Sequence, residues 1–382
     1  RGHVRRRGAK WAIVLDAGTD EHGKRRQKWH SGFTTKREAE RALAELLTKL
    51  GRGEYVEPTR LTLAVFLVDQ WLPGIRASVR ESTFESYARN VRVHLVPRLG
   101  ELPLQALTAA RLNAVYADLL ADGHRGGEGG LSPRTVRYVH TILRRALAAA
   151  VRWQLVDRNV ADLADPPAPK ATRPKPMPTW SASELSRFLN YVGDERSFPL
   201  WVVLGSTGMR RGEALGGRWE DVDLEAGRWQ VRRTLVMAGH EPHESTPKTD
   251  HGRRSVALDP GTVRVLRDWR RRQLEERLAW GPAWTDTGRV FTREDGTDLH
   301  PERVSEMFDR LVSRSGVTPL TVHGLRHSHA TLALAAEVHP KVVQERLGHS
   351  SVAFTLDRYS HAIPAMQEDA AAAVARLVGL DG

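Results

Sequence analysis

In the stretch TVHGLRHSHAT, four positions between His323 and His329 are basic or imidazole side chains: His323, Arg326, His327 and His329. His323 and His327 stand four apart, a spacing that lets two imidazoles face one metal ion from a single helical turn. The residue after His323, where the metalloprotease pattern has its glutamate base, is Gly324, and Arg326 brings a fixed positive charge to the same turn. A guanidinium repels a dication. It suits phosphate, to which it donates planar bidentate hydrogen bonds, and a neighbouring imidazole can donate or transfer a proton near neutral pH.

Further groups of this chemistry lie on either side. In GSTGMRRGEAL (205–215) Arg210 follows a tight turn at Thr207 and Gly208, with Glu213 available to hold it; taken alone it reads as a surface residue. In ESTPKTDHGRRSVAL (244–258) Lys248 stands in a polar turn running into a strand, where a mobile ammonium could reach a leaving oxygen. The run ERLGHSSVAFTLDRYSHA (345–362) contributes His349 and, ten residues on, Tyr359.

The elements that must position these groups can be read from pattern and composition. At 382 residues the chain exceeds one ordinary domain, and no long uncharged apolar run or signal peptide is visible. The absence of cysteine excludes disulfides, thiolate metal sites and a cysteine nucleophile, and fits a cytoplasmic chain. The chain opens on Arg1 and not on methionine, which suggests a start inside a longer native protein. The net charge is +12, and residues 1–37 carry +8 of it, from eleven Lys and Arg against Asp16, Asp20 and Glu21. Such clustering points to a polyanion, because bound cations release the counterions of nucleic acid.

Within that basic region, WAIVLDA and RRQKWHSGF read as strands separated by a Gly/Asp turn, and a helix starts near Thr35 with apolar residues at helical spacing from Ala39 to Leu50. This is a small sheet-plus-helix module ending by Tyr55. From Leu61 to Leu163 the pattern is helical: Leu63, Phe66, Leu67 and Trp71 form a stripe, Ser82 and Glu85 make a capping box, and Ser132–Pro133 open a long helix. One face of that helix is apolar and the other carries Arg134, Arg137, Arg144, Arg145 and Arg152. The run 165–178 has six prolines and reads as a linker. Beyond it Ser181 or Ser183 starts a helix, GRWQVRRTLVMA and RRSVALD read as strands, and two long helical runs and a weakly amphipathic alanine-rich C-terminal helix follow.

The fold class expected is therefore multidomain and mainly α. The divisions are residues 1–57, a β-sheet-and-helix module that binds DNA; 58–164, a helical domain; 165–180, the linker; and 181–382, a mixed α+β domain. The motifs TGMRRGE, TPKT, HGLRH, LGHSS and RYSH, in that order, closely resemble the tyrosine recombinases of the phage integrase family, and the first two domains resemble the arm-type and core-binding modules of mobile-element integrases.

The resemblance implies a site-specific recombinase that breaks and rejoins double-stranded DNA at attachment sites through a 3′-phosphotyrosyl bond, without metal or other cofactor. By it, Tyr359 is the nucleophile, Arg210 and Arg326 clamp the non-bridging oxygens, Lys248 protonates the leaving 5′-oxygen, His323 is acid/base and His349 bonds the phosphate. His327 and His329 support or pack. It also implies a homo-tetramer on DNA, help from an excisionase or a host DNA-bending factor, no membrane, and a place in the bacterial cytoplasm with the nucleoid. A type IB topoisomerase shares the chemistry but lacks the basic N-terminal module; a non-catalytic DNA-binding protein would not need Tyr359 beside a full cationic set.

Overall fold

The computed structural model describes residues 2–19, 25–51, 56–123, 129–168, 178–239, 241–246, 252–349, 351–353, 356 and 375–378, and the chain divides into two units, 1–173 and 174–382. Lys248, Tyr359, positions 169–177 of the proline-rich run and most of the alanine-rich C-terminal run lie outside the described residues.

In the first unit β1 (Gly2–Arg7), β2 (Lys10–Thr19) and β3 (Arg25–Phe33) form an antiparallel sheet in that order. Two of these strands are the runs expected; β1 is additional. Its alternation covers only Gly2 and Val4 before three arginines, too short to register as a period of two. Helix α1 (Lys36–Gly51) buries Ala39 against Ile13 and Leu15, with Leu43 and Leu46 packed at the margin.

The helical stretch 63–75 contains a π-helical segment, Phe66–Trp71, and its Leu63, Phe66, Leu67 and Trp71 are fully buried, as their spacing predicts. The helices α2 (Glu81–Asn90), α3 (Ala109–Asp122) and α4 (Pro133–Arg152) complete that core. Ser132 caps α4 by accepting from the Thr135 amide at 3.1 Å. The expected capping box at Ser82 is not formed: α2 begins at Glu81 with Arg80 in the capping position, so Ser82 already lies within the first turn.

The second unit begins with α5 (Ala182–Tyr191), α6 (Phe198–Thr207) and α7 (Arg211–Gly216). Five strands follow: β4 (Val222–Asp223), β5 (Arg228–Val231), β6 (Thr234–Ala238), β7 (Glu241–Ser245) and β8 (Arg254–Ala257). The helices α8 (Pro260–Trp280), α9 (Pro301–Ser315), α10 (Val322–Ala335) and α11 (Pro340–Leu347) close the unit. Ser181 is the cap of α5, in a box with Glu184. Strands β4, β5 and β8 form one antiparallel sheet and β6–β7 a separate hairpin. The run 227–238, expected as one strand, divides between these two sheets because Arg233 turns aside to pair with Asp221 at 2.5 Å and Glu220 at 2.6 Å.

The core of this unit is aromatic: Trp180, Phe188, Trp201 and Phe308 are buried with ring centroids 5.0–5.8 Å apart. The Trp180 amide donates to Ser328 Oγ at 2.8 Å, which ties the entry of the unit to α10. No helix among the described residues is long and apolar enough to cross a membrane.

Candidate active site

Three helix ends build the site. Helix α6 is almost wholly apolar and stops at Gly208, which has φ +65° and whose Cβ position lies 2.6 Å from the Leu347 side chain and 2.7 Å from that of His329. Both the left-handed backbone and the close approach require glycine there. The chain then extends through buried Met209 to Arg210, which caps α7. Thr321 caps α10, accepting from the Gly324 amide at 3.2 Å, and so sets Arg326 one turn into that helix. Helix α11 ends at Gly348, again left-handed with φ +66°.

The C-terminal carbonyls of α11 hold the two arginines. Arg326 donates to Leu347 O at 2.7 Å and to Gly208 O at 2.8 Å, and Arg210 donates to Gly348 O at 3.3 Å. The last carbonyls of a helix have no partner within it and stand at the negative end of its dipole, so they suit a guanidinium. The two arginines nevertheless differ. Arg326 is 2% exposed, whereas the Arg210 side chain is 41% exposed.

Beneath Arg210 lies a buried ion triad. Glu213, 3% exposed, accepts from Arg210 Nη1 at 2.7 Å and from Arg254 at 2.8 and 3.1 Å. Burial alone would raise the Glu213 carboxyl, but the hydrogen bonds and charge of Arg254, then the charge of Arg210, hold it down at about 2. Arg254 also donates to Arg346 O at 2.6 Å, so its guanidinium on β8 joins Glu213 of α7 to the backbone of α11.

His349 follows directly after Gly348 and is 6% exposed. Burial, and then the charges of Arg326 and Arg210, push its imidazole down to about 3, so it is neutral at physiological pH and bonds without adding charge. His323 is exposed at the start of α10, its ring edge-on to buried His327 with centroids 4.8 Å apart. His329 shares a hydrogen bond of 3.1 Å with Gly205 O through Nδ1 and accepts from Arg346 at 3.1 Å through Nε2. Burial, then Arg346, takes it down to about 4. Among the described residues no group of three or more His, Asp or Glu side chains could hold a metal ion.

The fold thus joins Arg210, Arg326 and His349 through consecutive residues 347–349, with His323 on the outer turn of α10. Arg254 and Arg346 escaped the sequence reading. For Arg254 the signal was present: Gly252, Arg254, Val256 and Leu258 alternate with exposed residues, which puts an arginine on the inward face of β8. For Arg346, which donates to Ala257 O at 2.9 Å and Ser206 O at 3.0 Å, only the fold reveals the partners.

The sequence matches the model of the phage integrase family over residues 182–366, that of an arm DNA-binding domain over 3–50, and that of the phage integrase N-terminal SAM-like domain over 65–120. The chain belongs to the phage integrase family. The integrase is a tyrosine-type site-specific recombinase, an enzyme that cuts and rejoins DNA. It is 26% identical to a XerC-like tyrosine recombinase of Caldanaerobacter subterraneus subsp. tengcongensis, the match covering 94% of each chain. It is 29% identical to an integrase of Streptomyces ambofaciens over 94% of this chain and 92% of that one.

Its fold is that of the Tn1549 transposon integrase in a complex with circular-intermediate DNA. There the TM-score is 0.64 at 22% identity, covering 83% of this chain and 99% of that one. A lambda integrase tetramer on a Holliday junction gives a TM-score of 0.58 at 15% identity, over 94% of each chain.

Proposed function

We propose that the integrase uses Tyr359 to attack a DNA phosphorus, giving a 3′-phosphotyrosyl bond and a free 5′-hydroxyl, with the bond energy kept for rejoining. The observation that carries this reading is the convergence of Arg210, Arg326 and His349 on the end of α11. Half-exposed Arg210 meets the non-bridging oxygens. Sealed Arg326 adds positive charge from below and fixes Leu347 O, the carbonyl next to the Gly348 O on which Arg210 rests, so the two arginines divide the clamp. Neutral His349 donates a hydrogen bond to the phosphate, exposed His323 exchanges the proton of Tyr359, and Lys248 gives one to the leaving 5′-oxygen.

The Tyr359→Phe variant tests the nucleophile: it binds its site normally and forms no covalent DNA adduct on a denaturing gel. An adduct persisting in Tyr359→Phe overturns the assignment.

The three family matches support functional divisions at 1–57, 58–164 and 181–382, with residues 165–180 as the connection. In this reading residues 1–57 hold distal arm-type DNA while the remainder closes on the core site, so one molecule bridges two DNA segments and gains effective concentration. The integrase acts as a homo-tetramer on double-stranded attachment sites, with an excisionase or host DNA-bending factor setting direction, in the bacterial cytoplasm at the nucleoid. Removal of residues 1–57 leaves cleavage of a short core site intact and abolishes integration that depends on distal sites.

A further inference from the structure

The hairpin β6–β7 delivers the chain to Lys248, and it is fastened at two places that the clamp does not use. The first is steric. Gly212 and Gly216 lie one helical turn apart on α7, and their Cβ positions meet β6 at 2.5 Å from Leu235 O and at 2.8 Å from Thr234 Cα. The hairpin therefore rests backbone to backbone on the helix that Arg210 caps. The second is electrostatic. On β7, Glu244 receives Arg218 at 3.0 Å, Arg289 at 3.3 Å and Arg233 at 3.5 Å. Two of these arginines are anchored in turn: Arg289 on Gly216 O at 3.0 Å and Asp298 at 2.7 Å, and Arg233 on Asp221 and Glu220.

One carboxylate thus stops the open end of the hairpin from sliding over α7. Lys248 follows Glu244 by four residues and precedes Arg254 by six, and Arg254 is itself fixed on Glu213. We propose that Glu244 is a positioning residue for the leaving-group acid: its three-arginine clamp sets the register of β7 on α7 and thereby the reach of Lys248 to the 5′-oxygen.

The proposal rests on the acid role of Lys248, and a substrate whose bridging 5′-oxygen is replaced by sulfur tests both separately, because the thiolate leaves without a proton. Glu244→Gln removes the charge at constant shape. It is expected to slow cleavage of ordinary DNA by about 10- to 100-fold, the scale on which a small misplacement of a catalytic group acts, and to recover most of that rate on the sulfur substrate, as Lys248→Ala does. Arg218→Met, which takes away one of the three guanidiniums, follows the same pattern with a smaller loss. Glu225→Gln, which breaks an exposed pair with Arg267, leaves both rates unchanged.

If Lys248→Ala is rescued by sulfur and Glu244→Gln is equally slow on both substrates, or not slowed at all, the positioning role is overturned. If Lys248→Ala itself is not rescued, the acid assignment falls, and the proposal with it.

Discussion

Helix α4 of the first unit and the cluster around α11 of the second are both rich in arginine, yet the two use it in opposite ways. On α4, Arg134, Arg144, Arg145 and Arg152 are exposed, and Arg144 meets Asp162 at the surface. In the second unit Arg326 and the side chain of Arg254 are at most 7% exposed, and carbonyls or a buried carboxylate take the place of water around them. Removing a cation from water costs several kcal/mol unless such bonds replace its hydration. Hydrated arginines therefore supply a long-range attraction that salt screens, whereas dehydrated ones fix geometry and strengthen local fields. In the reading proposed above, one residue type serves both the affinity for DNA and the shape of the site that cuts it.

The largest expected effect comes from cancelling the buried carboxylate. Glu213→Gln leaves Arg254 and Arg210 without their counter-charge, and should cost the second unit about 3–5 kcal/mol in denaturant unfolding. Asp162→Asn, which breaks the exposed pair on α4, should cost under about 1 kcal/mol. Comparable losses from the two would erase the distinction between the regions. Arg326→Ala comes next, with cleavage slowed by about 10² to 10³, the usual worth of one electrostatic donor. Arg326→Lys should lose nearly as much, because an ammonium cannot reproduce the fork that spans Gly208 O and Leu347 O. Quench-flow cleavage of a saturated site measures both.

The contrast also sets how far the sequence could be read. The apolar stripes of the helices in the first unit follow from periodicity, and the motif order carries the family. What the sequence hid is long-range. The pairing of Arg346 with β8 and with residue 206 spans 89 and 140 positions, and no local pattern encodes it. The single strand expected over 227–238 failed because its propensity is uniform. The fold breaks it at Arg232 and Arg233, where Arg233 pairs with Asp221 and Glu220, residues brought there by the chain before it. The same holds within the clamp: TGMRRGE and HGLRH present Arg210 and Arg326 as equivalents, and burial separates them.

A smaller effect should appear on acidification. His349 and His329 stand at about 3 and about 4 in the folded protein, below the ordinary 6.5 of an unfolded chain. Above pH 6.5 neither state holds the extra proton and their contribution is complete. As pH falls from 6.5 toward 4 and then 3, the unfolded chain takes up protons that the folded one refuses, so stability is lost with decreasing pH. His329→Gln keeps an acceptor for Arg346 and a donor for Gly205 O but cannot titrate. Its unfolding free energy at pH 7 should lie within about 1 kcal/mol of the parent, and the drop between pH 7 and pH 5 should shrink by about 1–2 kcal/mol. An unchanged drop would mean that His329 is not held neutral by burial and Arg346.

The smallest expected effect concerns the hydrated arginines, and it is visible only against salt. If Arg134 and Arg152 on α4 each neutralise a DNA phosphate, replacing either with alanine removes one released counterion. The slope of log affinity against log salt should become shallower by about one, with the affinity change spread evenly over DNA sequences. Cleavage of DNA already bound at saturation should not change, because neither side chain lies in the unit that carries Arg210, Arg326 and His349. Arg326→Ala should do the reverse, cutting the rate at saturation while leaving the salt slope nearly intact, since a residue sealed against Leu347 and Gly208 releases no counterion. A full unit of slope lost in Arg326→Ala would mean that the buried arginine neutralises phosphate directly, and the division between hydrated and dehydrated arginines would then be one of position and not of mechanism.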